Sequence, residues 1–286
     1  MTSIPLHLEG LDDYKPWDIG VHLFNVFNDL IQPTASQISP REAAEKINML
    51  YPDKEKEGGL YREETASFFL ELDDMHVKLA SQVPYQRPEM NRLVELFFEI
   101  RKLPLFIGSG LVQPRLRSGP VKYDVRAITL RKDQNEKRFK FRNLSSFLAR
   151  LAKAGFEDSN MLYALTALQD ALEYEFEASN ASHVLSSDYL VPIAAEWIIM
   201  AGELMPLNGG NMGGYASLGG PLWKGEPKLS LERWQFWMRR FEFFASCEAL
   251  MEETRDREKE AAERMRCIEE QKSKVENNQT VSAMDS

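Results

Sequence analysis

Apolar side chains recur every three or four residues along most of the chain, the spacing that places them on one face of an α-helix. Phe68, Phe69, Leu72, Met75 and Leu79 form one such stripe. Prolines and glycines separate the periodic segments, so each segment is typical of an individual helix. The predicted helices cover residues 17–32, 40–50, 61–82, 90–102, 144–154, 159–178, 190–204 and 231–250. These patterns predict an all-α fold.

The most sharply marked helix start lies at residues 39–42. Ser39 precedes Pro40, and Glu42 follows at the third helical position. Ser and Glu side chains at these positions satisfy backbone N–H groups that have no partner within the helix. Asn143 is a predicted cap for the helix that starts at residue 144.

Two segments lack helical periodicity. Residues 104–142 contain several glycines and prolines, and the partial alternation at 121–125 suits a short strand. Residues 206–227 contain seven glycines and predict a long irregular loop. Loops of this length in compact domains are usually either functional or disordered.

These segments define the predicted organisation of the chain. We expect an irregular bundle of about eight or nine helices with long loops and a charged C-terminal helix. Residues 1–250 would form one helical domain with a seam near residues 104–142, since 286 residues can bury one sizeable core. Residues 251–276 carry charges on both faces and predict an exposed or weakly docked helical extension. A disordered tail is expected over residues 277–286.

Composition narrows the classes of protein. The net charge of −9 argues against a nucleic-acid-binding protein whose whole surface is basic. The best candidate for a membrane span, residues 191–201, is short and contains Pro192 and Glu196. The N-terminus lacks the pattern of a signal peptide, and Cys247 and Cys267 fit no paired motif. We therefore expect a cytoplasmic protein, with the nucleus as the alternative, and no membrane partner.

The most distinctive local feature is a glycine-rich segment followed by an aromatic helix. Residues 219–225 read Gly-Gly-Pro-Leu-Trp-Lys-Gly, and residues 233–241 contain Arg-Trp-x-x-Trp-x-x-Arg-Phe. Trp234, Trp237 and Phe241 share one helical face, which favours a core-filling role. The alternative is a cleft in which indoles stack on a ligand and an arginine holds an anion. The candidate binding residues are Trp223, Trp234, Trp237 and Arg240. A phosphate loop is not supported, because Glu226 stands where phosphate binding would need a cation.

A basic stretch interrupts the acidic chain at residues 115–142, with ten basic and three acidic residues. Such a stretch could neutralise nucleic-acid phosphates. The favoured interpretation is a solvated loop that pairs with acidic helices of the same molecule, so nucleic acid is an unlikely partner. The candidate basic patch consists of Arg131, Lys132, Lys137, Arg138, Lys140 and Arg142.

No motif for catalysis or metal binding is complete. Asp73 and Asp74 begin like an aspartate-rich Mg²⁺ motif, but Val77 stands where the third carboxylate is required. The four histidines are scattered, and neither a zinc-protease nor a nucleophile-elbow motif occurs. We therefore predict no catalytic residue, no metal and no cofactor. The question of enzymatic activity stays open, with the balance against it.

The segment from Gly219 to Phe241 resembles the C-terminal signature of a fungal family of uncharacterised helical proteins, defined as a domain of unknown function. The resemblance implies an all-helical fold and a filamentous-fungal origin. It supplies no catalytic residue. It implies a role in secondary metabolism only because the genes of some relatives lie beside secondary-metabolite genes.

The sequence thus favours a non-enzymatic interaction or regulatory protein with an unknown protein partner. The first alternative is a small-molecule binder or enzyme of fungal secondary-metabolite biosynthesis. The second is a nucleic-acid-binding protein that uses the basic segment 115–142.

Overall fold

A computed structural model of the chain describes residues 2–8, 18–33, 37–51, 65–103, 133–156, 159–207 and 219–284. The predicted strand at 121–125 and part of the predicted loop at 206–227 lie outside these ranges. The helices are α1 Asp18–Ile31, α2 Pro40–Leu50, α3 Thr65–Gln82, α4 Glu89–Arg101, α5 Asp133–Lys153, α6 Ser159–Leu172, α7 Ala181–Ala201, α8 Leu231–Ala245 and α9 Glu252–Met284. The described residues form no sheet, and the all-α prediction is confirmed.

The described elements group into two compact units. One contains α1 to α4 and the part of α5 that ends at Phe147. The other contains α5 from Leu148 onward together with α6 to α9. The division thus falls inside α5, whereas the sequence placed a seam near residues 104–142 within one domain.

In the first unit, α1 packs against α2 and α3, and α2 packs against α4. The start of α2 confirms the predicted capping box. The Ser39 hydroxyl accepts a hydrogen bond from the Glu42 amide at 3.2 Å. The Glu42 carboxylate in return accepts one from the Ser39 amide at 2.7 Å. These bonds, with Pro40 at the first helical position, fix where the helix begins.

Asn143 has a different role from the predicted one. Helix α5 begins at Asp133, so Asn143 lies inside the helix and the prediction of an N-cap is wrong. Its side-chain oxygen accepts from the Tyr85 amide at 2.9 Å, and its amide donates to the Ser81 carbonyl at 2.9 Å. Asn143 therefore satisfies backbone groups where α3 ends, a tertiary role that local sequence does not reveal.

Helix α7 starts nine residues before its predicted position. The Asn180 side chain accepts hydrogen bonds from the amides of Ser182 and His183, which caps a helix that begins at Ala181. By length and composition the segment Ala181–Leu204 could cross a membrane, but 56% of its apolar window is buried. A buried core helix passes the same test.

Helix α9 packs against α7 and α8, and the expectation of an exposed or weakly docked helix is wrong. Four of its apolar side chains are buried: Ala261, Ala262, Met265 and Ile268. Arg257 pairs with the buried Glu196 of α7 at 2.6 Å. Arg266 pairs with Glu242 of α8 at 2.7 Å. The charged residues of α9 thus serve partly as docking contacts. Its backbone is helical to Met284, beyond the predicted end near residue 276.

Candidate functional site

A fully buried carboxylate, Glu173, lies directly after α6 in the second unit. It faces the equally buried Arg233 of α8, whose Nε donates to Oε1 at 2.7 Å and whose Nη2 donates to Oε2 at 3.1 Å. The Trp237 indole donates to Oε1 at 2.7 Å, and the Gly220 amide donates to Oε2 at 2.5 Å. Glu173, Gly220, Arg233 and Trp237 are called the carboxylate latch below.

The start of α8 orients the two donor side chains of the latch. Ser230 caps the helix, and its hydroxyl accepts from the Arg233 amide at 3.3 Å. Arg233 and Trp237 are four residues apart, so they share one face of the helix. The Arg233 guanidinium carbon also lies 5.0 Å from the centroid of the Trp237 ring, within the range of a cation–π contact.

The described glycine segment, residues 219–225, folds over this carboxylate. The Leu222 amide donates to the backbone carbonyl of Glu173 at 3.0 Å. A Cβ atom at Gly220 would lie 2.7 Å from the Glu173 side chain. Cβ atoms at Gly219 and Gly225 would lie 2.6 Å and 2.3 Å from Trp223. The glycines are therefore required because backbone, indole and carboxylate approach too closely for any side chain.

Arg240 hydrogen-bonds to the backbone where α6 ends. Its Nε donates to the Leu172 carbonyl at 2.9 Å, and Nη2 donates to the Tyr174 carbonyl at 3.1 Å. These bonds supply partners for carbonyls that the helix leaves open at its C-terminus. Helix α6 accordingly ends at Leu172, and the prediction that it continues to residue 178 is wrong. Burial lowers the pKa of Arg240, and the nearby Glu175 partly opposes the shift.

The four candidate binding residues meet very different surroundings. Trp234 and Trp237 are fully buried, which agrees with the core-filling interpretation. Trp223 and Arg240 are half-buried. The Trp223 indole donates to the Glu226 carbonyl at 2.9 Å, so both half-buried side chains also bond within the protein. That these residues line a ligand cleft stays a prediction.

Glu173 is the central residue that the sequence analysis missed. The sequence contained a signal for it. Glu173 directly follows Leu172 in a predicted helix whose apolar face also contains Leu165 and Leu168. A carboxylate buried in such a setting requires a cation or several donors. The sequence did not indicate which distant arginine would supply them.

The structure describes part of the candidate basic patch. Arg131 and Lys132 lie outside the described residues, as do the side chains of Lys137 and Arg138. Lys140 is half-buried. Arg142 is buried in the first unit, where Nη2 donates to the Tyr85 hydroxyl at 2.6 Å. Arg142 is therefore not the solvated residue that the basic-loop interpretation expected, and phosphate binding by the other members stays a prediction.

The Asp73–His76 region of α3 belongs to the first unit and is partly internal. His76 is buried against Phe27, Phe97 and Phe147, with ring centroids 4.6, 6.0 and 6.4 Å away. Burial lowers the pKa of His76 to about 3. Burial and the neighbouring Asp74 raise the pKa of Asp73 to about 7. Within the described ranges, no three carboxylate, histidine or cysteine side chains come together as a metal site.

Fold and site together define an all-α protein whose glycine segment and aromatic helix are joined by a buried Glu–Arg pair. A family model described as a protein of unknown function (DUF3632) matches residues 74–241, more than half of the chain, and the protein belongs to this family. The match contains the whole carboxylate latch and ends at Phe241, before α9. No curated protein and no solved structure matches the chain.

Proposed function

We propose that this protein is a non-enzymatic interaction or regulatory protein that binds another protein in the cytoplasm of a fungal cell. The observation that carries the proposal is the internal saturation of the carboxylate latch. Glu173 accepts four hydrogen bonds from Arg233, Trp237 and Gly220. A carboxylate held in this way has little remaining capacity to bind a ligand.

The same saturation weakens the case for a cofactor or anion site at the start of α8. An anion-binding arginine must direct free donors toward its ligand, whereas Arg233 directs two of its donors to Glu173. The latch instead fixes the glycine segment to α6 and α8. A rigid helical surface of this kind supports recognition of a partner without chemistry.

The fungal setting rests on the resemblance of residues 219–241 to a fungal helical signature. A role beside secondary-metabolite genes would be regulatory under this proposal. It would act through protein contacts rather than through turnover of a metabolite.

The proposal is tested by affinity capture with the full folded chain, followed by size-exclusion chromatography of the captured material. An unrelated acidic helical protein of similar net charge is the control bait. We expect at least one protein that co-elutes at a fixed stoichiometry with this chain and not with the control. If no such protein is found, the proposal fails. A deletion strain that then loses a metabolite, which the purified chain alone restores in extract, would instead assign an enzymatic role.

A further inference from the structure

The second unit presents apolar side chains to solvent where α8 ends and α9 begins. Phe243 is 44% exposed and Met251 is 58% exposed. The half-buried Phe176 packs edge-on against Phe243, with ring centroids 5.9 Å apart. Phe176, Phe243 and Met251 are called the α8–α9 corner below.

Buried contacts hold this corner in place. Phe244 lies beneath Phe176 and Phe243, with centroids 5.2 Å and 5.3 Å away. The guanidinium carbon of Arg240 lies 4.8 Å from the Phe244 ring centroid and 5.1 Å from that of Phe243. The Met251 amide donates to the Asp188 carboxylate at 2.9 Å, which ties the start of α9 to α7. The corner is therefore preorganised, and little conformational entropy would be lost on binding.

The two chain segments that carry the corner are acidic. Residues 174–188 and 239–253 contain seven carboxylates and two arginines, a net charge of −5 with histidine neutral. Six of the carboxylates are exposed, namely those of Glu175, Glu177, Glu242, Glu248, Glu252 and Glu253, and Glu242 pairs with Arg266. An apolar centre with a charged rim is the arrangement found in protein interfaces. The sign of this rim selects cationic partners and repels nucleic acid and anionic membranes.

We propose that the α8–α9 corner binds a basic amphipathic segment of a partner protein. Apolar side chains of that segment would cover Phe243 and Met251, and its lysines and arginines would face the surrounding carboxylates. The proposal rests on the proposed interaction function and specifies its surface and the chemistry of its partner. It does not use the carboxylate latch as a binding site.

The test uses the full chain and a fluorescein-labelled peptide of about 18 residues, five helical turns long. The peptide contains only leucine and lysine, with the leucines on one helical face. A second peptide has the same composition, but its leucines are distributed around all faces. Fluorescence anisotropy reports binding at low and high ionic strength. We expect tighter binding of the amphipathic peptide, and weaker binding at high ionic strength.

Matched variants locate the binding surface. Phe243→Ser should weaken binding of the amphipathic peptide by about tenfold or more, as loss of a central apolar contact does in other interfaces. Leu162→Ser, at an exposed apolar position on α6, should leave binding unchanged. Glu177→Gln with Glu248→Gln should weaken binding, whereas Glu263→Gln with Glu270→Gln, the same charge change elsewhere, should not. Circular dichroism checks that each variant is folded.

Several results would overturn the proposal: no binding by the unmodified chain, equal binding of both peptides, or equal effects of the corner and control variants. A dimer in light scattering that Phe243→Ser dissociates would assign the corner to a second copy of this chain. If affinity capture yields a partner that Phe243→Ser retains, the corner proposal fails and the interaction function stands. Without any captured partner, the interaction function fails independently of the peptide result.

Discussion

Glu173 and Arg233 illustrate the energetics of a charge pair enclosed in a helical core. Both side chains are fully buried, so folding removes two ions from water at a cost of several kcal/mol each. The bidentate geometry and the added bonds from Trp237 and Gly220 offset that cost. The pair is then sensitive to the loss of either member, because the remaining charge would be buried without its partner.

Glu173→Gln should lower the free energy of unfolding by about 3–5 kcal/mol, since it leaves Arg233 without a counter-charge. The double variant Glu173→Leu with Arg233→Met should lose less stability than Glu173→Gln alone. Glu226→Gln, in a pair exposed on the surface, is the control and should have no measurable effect. Urea denaturation measures all three. An unchanged stability for Glu173→Gln would contradict a structural role of the latch.

Two glycines with positive φ provide a second matched comparison. Gly219 has φ +84° and Gly155 has φ +91°. A Cβ at Gly155 meets nothing within 4 Å, whereas one at Gly219 lies 2.6 Å from Trp223. Gly155→Ala should therefore cost about 1–2 kcal/mol from the backbone alone. Gly219→Ala should cost more in thermal or urea unfolding, and equal losses would show that Trp223 does not pack closely on the glycine segment.

At the scale of elements, α3 carries two groups with opposite effects on stability as pH changes. Folded Asp73 keeps a proton up to about pH 7 that the unfolded chain releases near pH 3.8, so its contribution falls as pH rises through this window. Folded His76 stays neutral down to about pH 3, whereas unfolded histidine protonates below pH 6.5. Its contribution therefore rises with pH over that range. The two effects oppose each other over most of the acidic range.

Asp73→Asn should remove the contribution to stability that falls as pH rises. Relative to the unmodified chain, the stability of this variant should then rise more steeply with pH between about 4 and 6.5, by up to about 1.4 kcal/mol per pH unit. His76→Phe should change the slope in the opposite direction. Urea denaturation across this pH range measures both. Stability curves that run parallel for all three proteins would mean that neither group titrates differently on folding.

Helix α9 contributes to the core of the second unit although it lies beyond the family match. Burial of a Met or Ile side chain stabilises a protein by about 1.5–3 kcal/mol, and Met265 and Ile268 are both buried. A chain that ends after Leu250 should therefore lose cooperative unfolding in calorimetry or become insoluble. A stable, cooperative 1–250 fragment would mean that α9 is peripheral.

The sequence predicted helices where local signals determine them. The Ser39 capping box and the apolar stripe of α3 depend on neighbouring residues, and both predictions are confirmed. Prediction from the sequence failed where tertiary contacts determine the bounds of a helix. Arg240, far along the chain, caps the end of α6, and the polar composition of residues 133–142 concealed the first half of α5. The aromatic helix could be predicted from its own residues. Its buried acidic partner Glu173 is distant in the chain, so local signals did not reveal it.

At the scale of the whole molecule, the second unit contains an internal scaffold and, under our proposal, a separate recognition surface. The carboxylate latch joins the glycine segment to α6 and α8 and lies within the family match at residues 74–241. The α8–α9 corner extends past that match to Met251. A partner should therefore bind at the α8–α9 corner. The glycine segment should keep its internal hydrogen bonds when the partner binds.

Hydrogen exchange of the full chain, alone and bound to its captured partner, tests this central division most directly. Slower exchange reports backbone amides that binding protects. We expect new protection in residues 174–177 and 240–253, with unchanged exchange in residues 219–225 and at the start of α8. New protection in residues 219–225 with no change at the corner would contradict it, because the partner would then occupy the glycine segment and its aromatic helix.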